Sequence, residues 1–260
     1  MVDRVRLKQL LPEVVRIAKL AGDALLPFYQ KIAPLQISEK VDKTPVTEAD
    51  HAAHAVIDAK LKKLAPEWSV LSEEGDVPDF SVRKNWQQYW LVDPLDGTRG
   101  FIRHSAEFTV NIALIDQGQP VLGVMVQPVT GDCFYAIEGG DAYHQKNDAP
   151  SVAIVQQLPE NDVLRIVSGQ FDKSAPKIKQ VFTESEIQLI KMNSSIKFAA
   201  LAQGVADLYC RFGPTSEWDT AAGHAILLAA GGTIINPHDR KPLRYGKDKF
   251  LNHDFLAQGL

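Results

Sequence analysis

The segment Trp90-Leu91-Val92-Asp93-Pro94-Leu95-Asp96-Gly97-Thr98 places two carboxylates, a proline, a glycine and a hydroxyl at the end of an apolar run. Ionised Asp93 and Asp96 only accept hydrogen bonds, and carboxylates held together raise each other's pKa unless a cation lies between them. A hard dication is their natural partner. Mg²⁺ takes one or two carboxylates plus water and substrate phosphate, and Leu95 can add its backbone carbonyl. Pro94 stiffens the turn, and Gly97 lets the backbone pass close to a ligand as it opens a short helix over 98–102, whose N–H groups suit a phosphate oxygen. Standing alone, such a segment is as readily a solvated turn with an Asp cap.

Further acidic anchors shift that balance. Leu71-Ser72-Glu73-Glu74 again sets carboxylates directly after a strand, and Glu217-Trp218-Asp219 sets one at a helix start. Asp50, in Thr44-Pro45-Val46-Thr47-Glu48-Ala49-Asp50, falls in the first turn of a helix. Taken singly, Asp219 reads as a helix cap and Asp50 as a residue that favours the helix dipole.

The elements that must position these groups follow from periodicity. Leu7, Leu10, Leu11, Val14, Ala18, Ala21, Leu25 and Phe28 recur at helical spacing, predicting a long first helix despite Pro12. A second helix follows Thr47, a suitable N-cap, and Pro66 closes it. From Trp68 the period shortens to that of strands, at 69–71, 89–92, 108–115, 121–126 and 133–137, with turn chemistry at Asp116-Gln117-Gly118-Gln119-Pro120. Beyond Pro150, strands at 152–155 and 163–167 alternate with helices near 174–182 and 195–202. A last helix begins near Asp219 and ends at Gly231-Gly232. This order favours an α+β sandwich in stacked layers, divided into subdomains 1–150 and 151–260 of one structural unit. No Gly-rich dinucleotide turn or Walker motif occurs.

Composition bounds the rest. The 260 residues, 45% hydrophobic and 23% charged, suit a globular chain, and a formal net charge of -4 argues against binding a nucleic-acid polymer. No stretch is apolar for the roughly 18 residues of a membrane span, and the N-terminus lacks a signal-peptide core, so a cytoplasmic location is expected. Peripheral membrane association stays open, as does the choice between monomer and homodimer. Cys133 and Cys210 are isolated and read as reduced structural thiols.

As a set, the anchors from Thr44 to His224 resemble the inositol monophosphatase-like family of metal-dependent, lithium-sensitive phosphatases. Within it the chain is similar to the 3′(2′),5′-bisphosphate nucleotidases. Besides the acidic motifs, that likeness is carried by the stretch from Glu107 to Ile115, Ser194-Ser195-Ile196-Lys197-Phe198 and Trp218-Asp219-Thr220-Ala221-Ala222-Gly223-His224. The resemblance implies a layered αβαβα sandwich of the inositol monophosphatase/fructose bisphosphatase type. It also implies two or three Mg²⁺ per site, bound by Glu73, Asp93, the Leu95 carbonyl, Asp96 and Asp219. Asp50 and Thr98 would orient the attacking water, with Glu73 also catalytic. Glu73, Leu95, Asp96, Gly97, Thr98, Ser194, Ser195, Lys197 and Asp219 would contact the substrate.

The implied reaction removes the 3′-phosphate of adenosine 3′,5′-bisphosphate, giving AMP and phosphate in support of sulfur assimilation. The corresponding 5′-phosphosulfate and inositol phosphates are alternative substrates, and a noncatalytic Mg²⁺- or nucleotide-binding protein is the alternative of another class. Three departures bear on substrate contacts rather than metal ligands. Arg99-Gly100 stands where relatives commonly carry Lys-Glu, Asn193 where Gly precedes the two serines, and Ser168-Gly169-Gln170 where many nucleotide-specific members carry Ser-Arg-Ser-His.

Overall fold

The computed structural model describes residues 1–31, 37–39, 45–155, 163–169, 175–182 and 186–259; Thr44, Gln170 and Ser174 of the sequence motifs lie outside them. Helix α1 (Arg4–Tyr29) is capped by Asp3, whose carboxylate accepts from the Arg6 N–H at 2.8 Å. Pro12 and Pro27 both lie inside it, and each costs about 3 kcal/mol in a helix interior. The buried stripe of Leu7, Leu10, Val14, Ile17 and Leu25 outweighs that, at about 1.5–3 kcal/mol per large side chain. β1 (Ile37–Glu39) pairs antiparallel with β2 (Pro45–Thr47), which leads into α2 (Glu48–Leu64). A capping box starts α2. Thr47 accepts from the Ala49 N–H, while the Asp50 carboxylate accepts from the Thr47 N–H at 2.8 Å.

Among the described residues, seven strands form the larger sheet. In spatial order they are β3 (Ser69–Ser72), β4 (Gln88–Asp96), β5 (Thr109–Asp116), β6 (Gln119–Gln127), β7 (Asp132–Ile137), β8 (Ala142–Lys146) and β9 (Val152–Ala153). β3 runs parallel to β4 and the others are antiparallel. Short helices α3 (Phe80–Arg83) and α4 (Thr98–Ile102) precede and follow β4. Gln117 and Gly118, with φ of 49° and 76°, make the tight β5–β6 turn expected from their sequence.

The second half comprises β10 (Leu164–Ser168), α5 (Ala175–Val181), β11 (Ile187–Lys191), α6 (Ile196–Ala202), β12 (Leu208–Arg211), α7 (Trp218–Ala229), β13 (Thr233–Ile235) and β14 (Phe255–Gln258). Its sheet has the order β11-β10-β12-β14-β13, with β10 parallel to β11 and β12 and β14 antiparallel to both its neighbours.

The layers follow from which side chains share a core. Alternate residues of β4 and β5, including Trp90, Val92, Val110, Ile112 and Leu114, join α1 and α2 in one apolar cluster. The residues between them, Tyr89, Leu91, Ala113 and Ile115, face the other way and pack with α6, α7 and the second sheet. On the far side of that sheet, Ile178 of α5 packs on Ile166, Leu208 and Cys210. The order is therefore helices, sheet, helices, sheet, helix, as the αβαβα expectation requires. Helix α7 lies against the larger sheet so closely that a Cβ on Gly123 would come within 2.4 Å of the Ala222 carbonyl oxygen. Cys133 and Cys210 are both buried and form no disulfide.

Candidate active site

Strand alternation aims the acidic groups. Leu91 faces the inter-sheet layer, so Asp93, two residues on, points the same way. Asn111 lies opposite Asp93 on β5 and Thr109 opposite Asp96. Three steps on β4 thus match two on β5, which is a β-bulge. The sequence expectation of a turn after the strand is corrected here, since β4 continues through Pro94 to Asp96. The extra residue turns Asp96 onto the same face as Asp93, although an odd spacing in a regular strand would separate them. Proline, lacking an N–H, is suited to that irregular position.

Glu73 follows β3 and is fixed by its N–H donating to the Val92 carbonyl at 3.1 Å. Asp219 enters from the opposite half of the chain in the first turn of α7, where one carboxylate oxygen accepts from the Ser216 N–H at 2.9 Å. Carboxylate oxygens of Glu73, Asp93 and Asp219 all lie within 4.8 Å of one another. Asp219 is therefore not the helix cap, a place taken by Glu217; it holds the preceding Ser216 N–H and joins the acidic cluster. Asp93 accepts from the Leu95 N–H at 3.0 Å.

Ser195 joins the two sides. Its hydroxyl lies 2.6 Å from Asp96 Oδ2 and 2.7 Å from the Asp219 carbonyl oxygen, and accepts from Asn111 Nδ2 at 3.0 Å. It is only 2% exposed. Next to it, Ser194 exchanges a hydrogen bond with Thr109 at 2.7 Å, and Lys197 Nζ donates to the Ser194 carbonyl. Asn193, a departure from the usual glycine, donates its backbone and side-chain N–H groups to Glu107 Oε2 at 3.1 and 2.7 Å. Gly97 has φ 98°, and a Cβ there would meet the Glu107 carbonyl oxygen at 3.0 Å, so a side chain is excluded twice over.

Asp50 serves two contacts. Its Oδ2 accepts from the Thr47 N–H and from the Thr47 hydroxyl at 2.6 Å, while Oδ1 lies 3.3 Å from the Thr98 hydroxyl. Thr98 Oγ1 is equally 3.3 Å from the Leu95 carbonyl oxygen. Glu73, Asp93, Leu95, Asp96, Gly97, Thr98, Ser194, Ser195, Lys197 and Asp219 line one cavity of about 440 Å³, and Asp50 adjoins it through Thr98. Arg99 and Arg211 also line it. Trp90, one residue out of step with Leu91 on β4, faces away from the site and is buried with Trp68 on the α1–α2 side. Thr109 and Asn111 were assigned no role from sequence. Their signal is a polar residue at alternate positions of a wholly buried strand.

The electrostatics favour a cation. Burial, reinforced by Glu73, Asp96 and Asp219, raises the Asp93 pKa well above the carboxylate range, against the opposing Leu95 N–H. Burial and the Asp96 and Glu73 charges raise Asp219, against the Ser216 N–H and Arg211. Oxygen-only donors that hold each other's protons without a counter-charge fit a hard dication such as Mg²⁺.

A sandwich with this acidic cluster at the end of β4 is the setting of one class of phosphatase. Residues 6–258 match the inositol monophosphatase family, and the chain belongs to it. Among curated relatives, the 3′(2′),5′-bisphosphate nucleotidase CysQ of Salmonella typhimurium is 45% identical over 249 residues, covering 95% of this chain and 98% of that protein. The enzyme of the same name from Escherichia coli K12 is 43% identical over 250 residues, with the same coverage. The crystal structure of CysQ from Bacteroides thetaiotaomicron, a bacterial member of the inositol monophosphatase family, superposes with a TM-score of 0.83 at 36% identity over 94% of each chain. Among the described residues, no helix is long and apolar enough to cross a membrane.

Proposed function

We propose that this chain is a Mg²⁺-dependent 3′(2′),5′-bisphosphate nucleotidase, hydrolysing the 3′-phosphate of adenosine 3′,5′-bisphosphate to AMP and inorganic phosphate in the cytoplasm. The observation that carries the reading is the convergence of Glu73, Asp93 and Asp219 from both halves of a chain that is 45% identical to a CysQ enzyme over 249 residues. On this reading Glu73, Asp93, the Leu95 carbonyl, Asp96 and Asp219 hold two or three Mg²⁺. The chain's two halves, 1–150 and 151–260, act as subdomains that complete the site together. Bound Mg²⁺ supplies positive charge against the phosphoryl oxygens and lowers the pKa of water.

The remaining chemistry belongs to side chains. Thr98 Oγ1 donates to Asp50 Oδ1 and accepts from the attacking water, which aligns it with the phosphorus. Asp50 is fitted to take up the proton, because its other oxygen is already held by Thr47. The Asp96–Thr98 loop contacts the transferred phosphoryl group. Lys197, with Arg99 and Arg211 on the cavity wall, supplies charge for the second phosphate. Initial rates on adenosine 3′,5′-bisphosphate, its 5′-phosphosulfate analogue, inositol 1-phosphate and fructose 1,6-bisphosphate, each with and without Mg²⁺, test this. A preference for inositol phosphate would reject the nucleotide assignment, and no phosphate release from any of them would reject catalysis.

A further inference from the structure

A second cavity, of about 430 Å³, opens beside Tyr89 at the other end of β4 and shares no lining residue with the acidic one. Tyr89 precedes Asp93 by four residues, or about 13 Å of strand. The charge of this cavity is opposite. Among the described residues, Arg83, Lys84 and Arg244 line it, and no carboxylate does. The nearby Glu217 is already matched, accepting from the Gly246 and Lys247 N–H groups at 2.9 Å each and pairing with Lys247 Nζ at 2.7 Å.

Lys84 and Arg244 of this wall are exposed, whereas Arg83 is buried and held in place. Arg83 is 7% exposed, donates to the carbonyls of Pro78, Lys247 and Asp248 at 2.8, 3.3 and 2.8 Å, and lies 4.0 Å over the Phe250 ring. Those bonds use three of a guanidinium's five N–H groups. Arg244 is steadied by donation to the Gln117 carbonyl at 2.9 Å. At the inner wall, Tyr89 is only 4% exposed, yet its hydroxyl has no hydrogen-bond partner among the described residues. A buried hydroxyl left unmatched is destabilising, and such an exception calls for an explanation. The half-buried Trp86 ring, 5.9 Å from that of Tyr89, adds a flat wall.

We propose that this cavity is a binding site for a tetrahedral oxyanion of the phosphate or sulfate kind, either free or carried by a small aromatic molecule such as a nucleotide. Arg83, Lys84 and Arg244 supply the charge, and the Tyr89 hydroxyl donates to an anion oxygen. The assignment is independent of the roles proposed for the acidic cavity.

The test uses the full chain freed of metal by EDTA. Crystals soaked in tungstate should show anomalous density between Arg83 and Arg244. Calorimetric titration with inorganic phosphate should show saturable binding that weakens about tenfold or more in a Lys84→Gln/Arg244→Gln variant. Tyr89→Phe should weaken it as well, with an unchanged or raised Tm, which separates a lost contact from a damaged fold. AMP binding that is about tenfold tighter than phosphate and is lost in the double variant identifies a carried anion at this cavity, and equal affinities identify the free ion. Absence of tungstate density here, or phosphate binding by the double variant equal to wild type, overturns the proposal.

Discussion

Replacing Ser195 by alanine tests whether the link between the two halves of the site matters. The Ser195 hydroxyl has one proton and faces two acceptors, Asp96 Oδ2 at 2.6 Å and the Asp219 carbonyl at 2.7 Å. The carboxylate, being charged, is the stronger acceptor. Losing that bond costs about 1.5–3 kcal/mol, and stranding the Asn111 amide, whose own Oδ1 already lacks a partner among the described residues, adds about 1 kcal/mol or more. A total near 3 kcal/mol corresponds to a Tm drop of about 6–12 °C for a chain of this size. If Asp96 loses its placement by the same 1.5–3 kcal/mol, kcat falls roughly tenfold to hundredfold. KM should change little, because the hydroxyl is engaged within the protein. Calorimetry and steady-state kinetics at saturating Mg²⁺ measure both. A Ser195→Ala enzyme with wild-type Tm and kcat would refute the reasoning.

Other outcomes follow from the same geometry. Gly97→Ala places a Cβ at φ 98° against the Glu107 carbonyl, so activity should collapse and stability fall by about 1–2 kcal/mol, read by urea unfolding. Thr98→Ala should lower kcat far more than Mg²⁺ affinity, since the hydroxyl reaches Asp50 and, of the groups that would hold Mg²⁺, only the Leu95 carbonyl; equal losses in both would contradict that. His224 is fully buried, and burial pushes its pKa down to about 3. The unfolded chain therefore binds more protons below the ordinary value near 6.5, and stability falls as pH drops through that window. From pH 6.5 to 5 the loss is about 1.6 kcal/mol, and His224→Gln should remove it from the wild-type curve. Asp93 and Asp219 have the opposite sign. Their raised pKa values stabilise the metal-free fold at low pH and lose that contribution as pH rises above roughly 4. The Tm gain on adding Mg²⁺ should accordingly be larger at pH 8 than at pH 5.

The sequence exposed what local chemistry encodes. The α1 stripe, the Thr47 cap, the Gln117-Gly118 turn and the apolar runs of β4 to β7 all use nearest-neighbour signals, and each lies where its residues predict. The short strands β1, β2, β8, β11, β12, β13 and β14 went unread. Each has five residues or fewer, and β14 is held by a partner some fifty positions earlier, where Leu208 meets Gln258. Acidic residues were legible as a set because their types are costly to gather without a cation. The bulge that aims Asp96, and the burial of Ser195 beneath the cluster, depend on cross-strand register that a single strand does not carry.

Strand β14 has a consequence for synthesis of the chain. It occupies an interior place in the smaller sheet, between β12 and β13, although both of those precede it in sequence. While residues 255–258 are still within the ribosome, β12 and β13 present unpaired edges, and the sheet behind α7 stays open. Those edges stay adhesive until β14 fills the gap, and proteolytic removal of residues 255–258 should reopen them.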